Sequence, residues 1–117
     1  MRRRVMKLLE DVRHSVSRIE HYIEGKALPD YLANSMLRDA IERRFEIIGE
    51  ALRQLRQVAP EVAEGIPDLN AIIGFRNPIA HQYDDLRDAQ VWETVWRDVP
   101  ALAACIQLLM DQERQRP

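Results

Sequence analysis

Apolar residues in this chain recur at steps of three and four, and no other feature of the sequence constrains the fold as strongly. Val5, Leu8, Leu9, Val12, Val16, Ile19 and Ile23 make one stripe, the pattern of an amphipathic helix rather than of a period-two strand. Gly25 comes just after the last of them, at the place where a helix commonly closes on a left-handed residue, and Lys26-Ala27-Leu28-Pro29 reads as a connection. Asn34 and Ser35 are good caps for a second stripe, Leu37, Ala40, Ile41, Phe45, Ile48, Ala51, Leu52 and Leu55. Gly49 sits inside it at a cost of about 1 kcal/mol relative to Ala, which close approach of a neighbouring helix would explain. Pro60 limits this helix to about Val58, because it disfavours helical geometry at Ala59.

A shorter segment, Leu69, Ile72, Ile73 and Phe75, comes next, with Asp68 as its expected cap. The last pattern is Trp92, Val95, Val99, Leu102, Ile106 and Leu109, with Asp88 as a candidate cap. Pro100 must kink or interrupt it, since proline cannot donate to the carbonyl of Trp96 and its ring crowds that group. The polar stretch from Asp111 to Pro117 is expected to fray. Three long helices and one short one, with no sustained alternation and few glycines, predict an all-α antiparallel helical bundle forming one domain over residues 1–117. The stripes are wider than a coiled-coil seam needs, which makes room for a second buried face and a dimer.

Composition removes several functional classes. One cysteine, Cys105, excludes an internal disulfide and a Cys-based zinc cluster; on its apolar helix it reads as a small, inert residue near the core. No apolar run reaches the roughly 18 residues that cross a bilayer. Charged Lys7, Glu10, Asp11 and Arg13 interrupt the apolar residues beyond the basic Met1-Arg2-Arg3-Arg4, so no secretory h-region is read and a cytoplasmic location is expected. His14 and His21 share a helix face with Glu10 and Glu24 nearby, but two turns, about 10 Å, separate the imidazoles; they read as solvated surface, and no metal or other cofactor is expected. Net charge is −2, so a nucleic-acid site has to be a local patch, which oligomerisation would enlarge.

One constellation carries chemistry: Arg76-Asn77-Pro78-Ile79-Ala80-His81-Gln82-Tyr83. A histidine exchanges a proton near neutral pH, a guanidinium stabilises charge developing on phosphoryl oxygens, and a tyrosine hydroxyl can orient a group, donate to it or be modified. The three suit one phosphodiester. On an uninterrupted helix Arg76 and Tyr83 share a face while His81 lies about 140° from Arg76. Pro78 argues against such a helix: either the chain kinks at Gly74, or Asn77 caps a new turn with Pro78 at its first position. The plainer readings stand beside this one. His81 is then an ordinary surface histidine, Arg76 pairs with Asp84 or Asp85, Tyr83 packs at the bundle end and Asn77 is only a cap.

This octet resembles the signature of the HEPN-domain ribonuclease toxins of the HepT type, from HepT–MntA (type VII) toxin–antitoxin systems. Phe45-Glu46-Ile47-Ile48-Gly49-Glu50-Ala51, Ile72-Ile73-Gly74-Phe75-Arg76-Asn77 and Val91-Trp92 are similar to further segments of that family. The resemblance implies a HEPN-like bundle that forms a homodimer, or a higher assembly, with two motifs at a shared cleft. It implies metal-independent RNA cleavage in which the ribose 2′-OH attacks the adjacent phosphate. His81 would transfer protons, Arg76 would stabilise the phosphate and Asn77 would support the site. A partner nucleotidyltransferase antitoxin of the MntA type would silence the toxin by adding AMP to Tyr83. Two other readings fit the same residues: a non-catalytic helical module that binds a nucleotidyltransferase or a nucleotide, and a purely structural dimerisation bundle.

Overall fold

The first stripe folds as α1 (Arg2–Ile23) and the second as α3 (Ser35–Val58), and these two long helices form the most extensive contact in the molecule. In the computed structural model, which describes residues 2–74 and 85–116, the apolar stripe of each is buried, except that Ala40 is half-buried. Leu9, Val12 and Ile19 of α1 and Ile41, Ile48, Leu52 and Leu55 of α3 are each fully enclosed. Burial of one such side chain contributes about 1.5–3 kcal/mol. The helix α7 (Val99–Arg114) also packs on α1, with Leu102, Ile106 and Met110 inside the same core.

The ends of these helices are set by their sequence. Gly25 has φ +73°, and the Lys26 N–H donates to the Ile23 carbonyl at 2.9 Å, so the left-handed closure of α1 falls where glycine placed it. The Asn34 side chain accepts from the Leu37 N–H at 3.1 Å and caps α3. The α3 helix stops at Val58, and Pro60 begins the single turn α4 (Pro60–Ala63) at the position where its missing N–H costs nothing.

Other local expectations are corrected. The stretch read as a connection contains a helix, α2 (Leu28–Ala33): Pro29 lies in its first turn, and the Asp30 carboxylate accepts from the Ala27 N–H at 2.8 Å. Tyr31 anchors α2 by burying its ring completely, a tertiary cause that no helical periodicity announces. Asp68 precedes α5 (Leu69–Gly74) with φ +55°. That left-handed geometry differs from the extended one a side-chain cap requires, and it is the Asp68 carbonyl that accepts, from the Ile72 N–H at 3.1 Å. Asp88 is not a cap either, because α6 (Asp85–Arg97) starts three residues earlier and places Asp88 in its first turn. The interruption expected at Pro100 is present: α6 ends at Arg97 and α7 begins at Val99, with Pro100 in its first turn. The helix α7 continues through the polar stretch as far as Arg114.

The described residues thus form an all-α bundle of seven helices, and none of these helices is long and apolar enough to cross a membrane. The short α5 packs on α3 through buried Ile72 and Ile73, and α6 packs on α2 and α7.

Candidate functional site

Every residue of the octet, including Arg76, Asn77, Pro78, His81 and Tyr83, lies outside the described residues. What the structure defines is the frame on either side. The incoming chain is carried by α5, whose last residue is Gly74; the outgoing chain resumes at Asp85 with α6. The two carriers are held in different ways. Ile72 and Ile73 fix α5 against α3 by apolar burial. The helix α6 has both an apolar and a polar attachment.

The apolar attachment is an aromatic series. The Tyr31 ring of α2 lies 5.1 Å from the Trp92 ring of α6, tilted by 30°, and Trp92 meets Trp96 edge-on at 5.8 Å. Such pairs add about 0.5–1.5 kcal/mol beyond the area they bury. The polar attachment centres on Arg38 of α3. Its guanidinium donates to the Tyr31 carbonyl at 3.2 Å and to the Leu32 carbonyl, at the end of α2, and it lies 3.6 Å from the Asp88 carboxylate of α6. One side chain therefore ties three helices together, with the guanidinium plane suited to several acceptors at once.

Around it, Arg87 is buried and Glu42 is half-buried. Burial pushes the Glu42 carboxyl above its ordinary value, opposed by the Arg87 charge and reinforced by Asp88. Burial also pushes the Tyr31 hydroxyl up, with Glu42 and Asp88 adding to the effect. The Tyr31 hydroxyl has no hydrogen-bond partner among the described residues. Sequence reasoning missed Arg38, Glu42 and Arg87 as a group. The available signal was a run of charged residues at steps of four (Arg38, Glu42, Glu46) beside a fully apolar stripe, which fits an exposed helix face equally well.

The remaining chemistry-bearing residues stand apart from this frame. His14 and His21 are exposed on α1. Among the described residues no three His, Cys, Asp or Glu side chains group closely enough to hold a metal ion. Cys105 is half-buried, its thiol donates to the Gly65 carbonyl at 3.1 Å, and burial raises its pKa, all of which fits an inert packing role.

A family model described as Ribonuclease HepT-like matches residues 12–109, a span that runs from α1 to α7 and includes the whole octet. The chain belongs to the HepT-like ribonuclease family. Relatives of known name point the same way. The chain is 28% identical over 102 residues to a protein of Thermococcus cleftensis named "probable ribonuclease HepT", covering 87% of this chain and 92% of that one. It is 27% identical over 108 residues to a protein of Methanocaldococcus jannaschii named as a candidate RNase, covering 92% and 98%. A longer protein of the same organism, named as a gamma-glutamylcyclotransferase and candidate RNase, is 31% identical over 112 residues. The match covers 96% of this chain and only 50% of that relative, so the chain spans half its length. No solved structure gave a significant match.

Membership in the HepT-like family gives the frame its meaning. In this HepT-like chain α5 and α6 are the anchored helices that precede and follow the octet in sequence, and α1 with α3 is the best-packed pair among the described residues.

Proposed function

We propose that this protein is a metal-independent endoribonuclease, acting as the toxin of a toxin–antitoxin pair, with Arg76 and His81 as its catalytic residues. The observation that carries the reading is the position of the octet: it falls inside the family match and occupies the link between α5 and α6. In the proposed reaction the ribose 2′-OH attacks the adjacent phosphate, a bond to the 5′-oxygen of the next nucleotide breaks, and a 2′,3′-cyclic phosphate forms. His81 transfers the protons, taking one from the 2′-OH or giving one to the departing oxygen. Arg76 stabilises the charge that builds on the phosphoryl oxygens, and Asn77 supports the local turn. A second copy of the chain brings a second octet to the same cleft.

Regulation acts through Tyr83. A partner nucleotidyltransferase of the MntA type adds AMP to its hydroxyl, which places an anion beside Arg76 and His81 and repels the RNA backbone. The charge that Arg76 supplies to substrate is the one the AMP phosphate would occupy.

The test is expression of His81→Ala and Arg76→Ala beside the wild type. Each variant is expected to lose at least about 100-fold in RNA cleavage and to relieve growth inhibition. Equal cleavage by all three proteins in the presence of a chelator defeats the reading. Intact mass after co-expression with the partner enzyme checks the regulation: an added AMP is expected on the wild type and absent from Tyr83→Phe.

A further inference from the structure

Among the described residues, arginines with a carboxylate within ion-pair distance include Arg38 with Asp88, Arg43 with Glu46, Arg53 with Glu50, Arg97 with Glu93 and Asp98, Arg114 with Asp111 and Arg116 with Glu113. Arg18 of α1 and Arg44 of α3 have none among the described residues, yet they converge on one aromatic ring. The Arg18 guanidinium carbon sits 5.3 Å from the centroid of the Tyr22 ring, in cation–π geometry. A hydrogen bond from Arg18, and then the charges of Arg18 and Arg44, hold the Tyr22 hydroxyl below its ordinary pKa against the opposing effect of burial. The His21 ring lies 6.4 Å from the Tyr22 ring, tilted by 58°. Tyr22 itself is half-buried and packs against the core, so its ring is fixed, while Arg18 and His21 are exposed.

The carboxylates of α1 do not neutralise this cluster. Glu20 lies about 160° round the helix from Arg18, and Glu24, in the turn after α1, borders His21 rather than Arg18. Asp11 shares the face but sits about 10 Å back along the axis and is engaged by Lys7. A local positive patch with aromatic rings therefore stands on a chain whose net charge is −2. Two guanidiniums that flank a tyrosine hydroxyl and have no carboxylate partner among the described residues match a phosphodiester, and adjacent aromatic and guanidinium planes match an unpaired base. Single-stranded RNA combines both groups in one repeat.

We propose that Arg18, Tyr22 and Arg44, with His21 beside them, form a binding site for single-stranded RNA separate from the Arg76–Tyr83 segment. A phosphate sits between the two guanidiniums and the neighbouring base stacks against the Tyr22–His21 pair. The polymer's identity rests on the ribonuclease reading; the patch itself rests on the geometry. Arg44 stands two residues beyond Glu42 but about 200° round α3 from it, so the site lies on a different face from the group that anchors the start of α6. A strand long enough to occupy it is retained, and one too short to do so is not.

The experiment uses a fluorescent ten-nucleotide single-stranded RNA and the His81→Ala protein, which removes turnover from a binding measurement. Arg18→Ala with Arg44→Ala is expected to weaken binding at least about tenfold and to reduce the slope of log affinity against log salt by about 0.7, the value for one lost phosphate contact on a single strand. Tyr22→Ala is expected to weaken binding severalfold, and Tyr22→Phe, which keeps the stacking surface, to recover most of it. Thermal melts of the double Arg variant and of Tyr22→Phe should coincide with that of the parent, because neither arginine has a carboxylate partner among the described residues and Phe preserves the Tyr22 ring. With His81 intact, the double Arg variant should raise KM for the ten-mer while leaving cleavage of a dinucleotide unchanged. Unchanged affinity and salt slope in the double variant overturn the proposal, as does an equal loss of binding to a ten-residue glutamate peptide. The two readings fail separately: RNA that is bound through Arg18 and Arg44 but never cut defeats only the ribonuclease, and RNA that is cut with no dependence on those arginines defeats only this site.

Discussion

The contact between α1 and α3 and the contact between α2 and α6 are built from different materials. The first is two long apolar stripes closed on each other, with Leu9, Val12, Ile19, Ile48 and Leu52 fully enclosed. The second pairs an aromatic stack with a charged cluster, Arg38, Glu42, Arg87 and Asp88, arranged around the buried Tyr31 ring. Apolar burial is nearly independent of pH and salt and tolerates no cavities. A polar cluster is sensitive to both, and its worth depends on every member being satisfied. The lesson concerns the division of labour: stability resides in α1 and α3, while the helix that receives the chain from the octet is held by contacts that charge and protonation can alter.

Four substitutions sharpen this contrast. Leu52→Ala, in the centre of the apolar contact, is expected to cost about 2–5 kcal/mol through lost transfer energy and the cavity left behind, read as a fall in the urea midpoint with an unchanged slope. Arg38→Ala removes charged hydrogen bonds to two carbonyls of α2 and the tie to Asp88. A loss of about 1–3 kcal/mol is expected, smaller in high salt, whereas the Leu52→Ala deficit should not respond to salt. A salt-independent Arg38→Ala deficit would mean that its aliphatic stem, not its charge, holds α6.

Tyr31→Phe deletes a buried hydroxyl that has no partner among the described residues while keeping the ring that stacks on Trp92. The expected result is neutral to stabilising by up to about 1 kcal/mol, and a clear destabilisation would show that the hydroxyl is satisfied in solution. The smallest effect belongs to Glu42. Its carboxyl is raised, chiefly by burial, so the folded state holds that proton more tightly than the unfolded state does. The corresponding stability is fully present below the unfolded pKa of about 4.5 and is lost as pH rises through the higher folded value. Melting curves of wild type and Glu42→Gln should therefore diverge across that window and run parallel above it. A constant difference at all pH values would place Glu42 in water.

How much of this was legible beforehand varies with the element. The stripe from Val5 to Ile23, the Gly25 closure, the Asn34 cap and the stop near Pro60 all depend on interactions within one or two helical turns, and each appears where the spacing puts it. The short helix α2 was not legible, because its six residues contain no stripe and it persists through the burial of Tyr31 against α6. The cap assigned to Asp68 failed for a related reason: the left-handed turn that delivers α5 to α3 is set by packing, not by the preference of one side chain. In the candidate site, the octet was identified from its chemistry and spacing alone, while Arg38 could be recognised as a three-helix tie only once α2 and α6 were seen on either side of it.

Sequence by itself determined the helical character of the chain, the faces that turn inward and the family to which it belongs. These properties come from short-range periodicity and from which residue types occur together. Tertiary structure decided which charged residues are partnered and which are not. Arg38 and Arg44 stand six residues apart on one helix, yet one is bound to α2 and α6 and the other lies beside Tyr22 with no carboxylate partner among the described residues. The reason is geometric: six residues rotate a side chain by about 240° around a helix, and only the placement of neighbouring helices determines what each face meets.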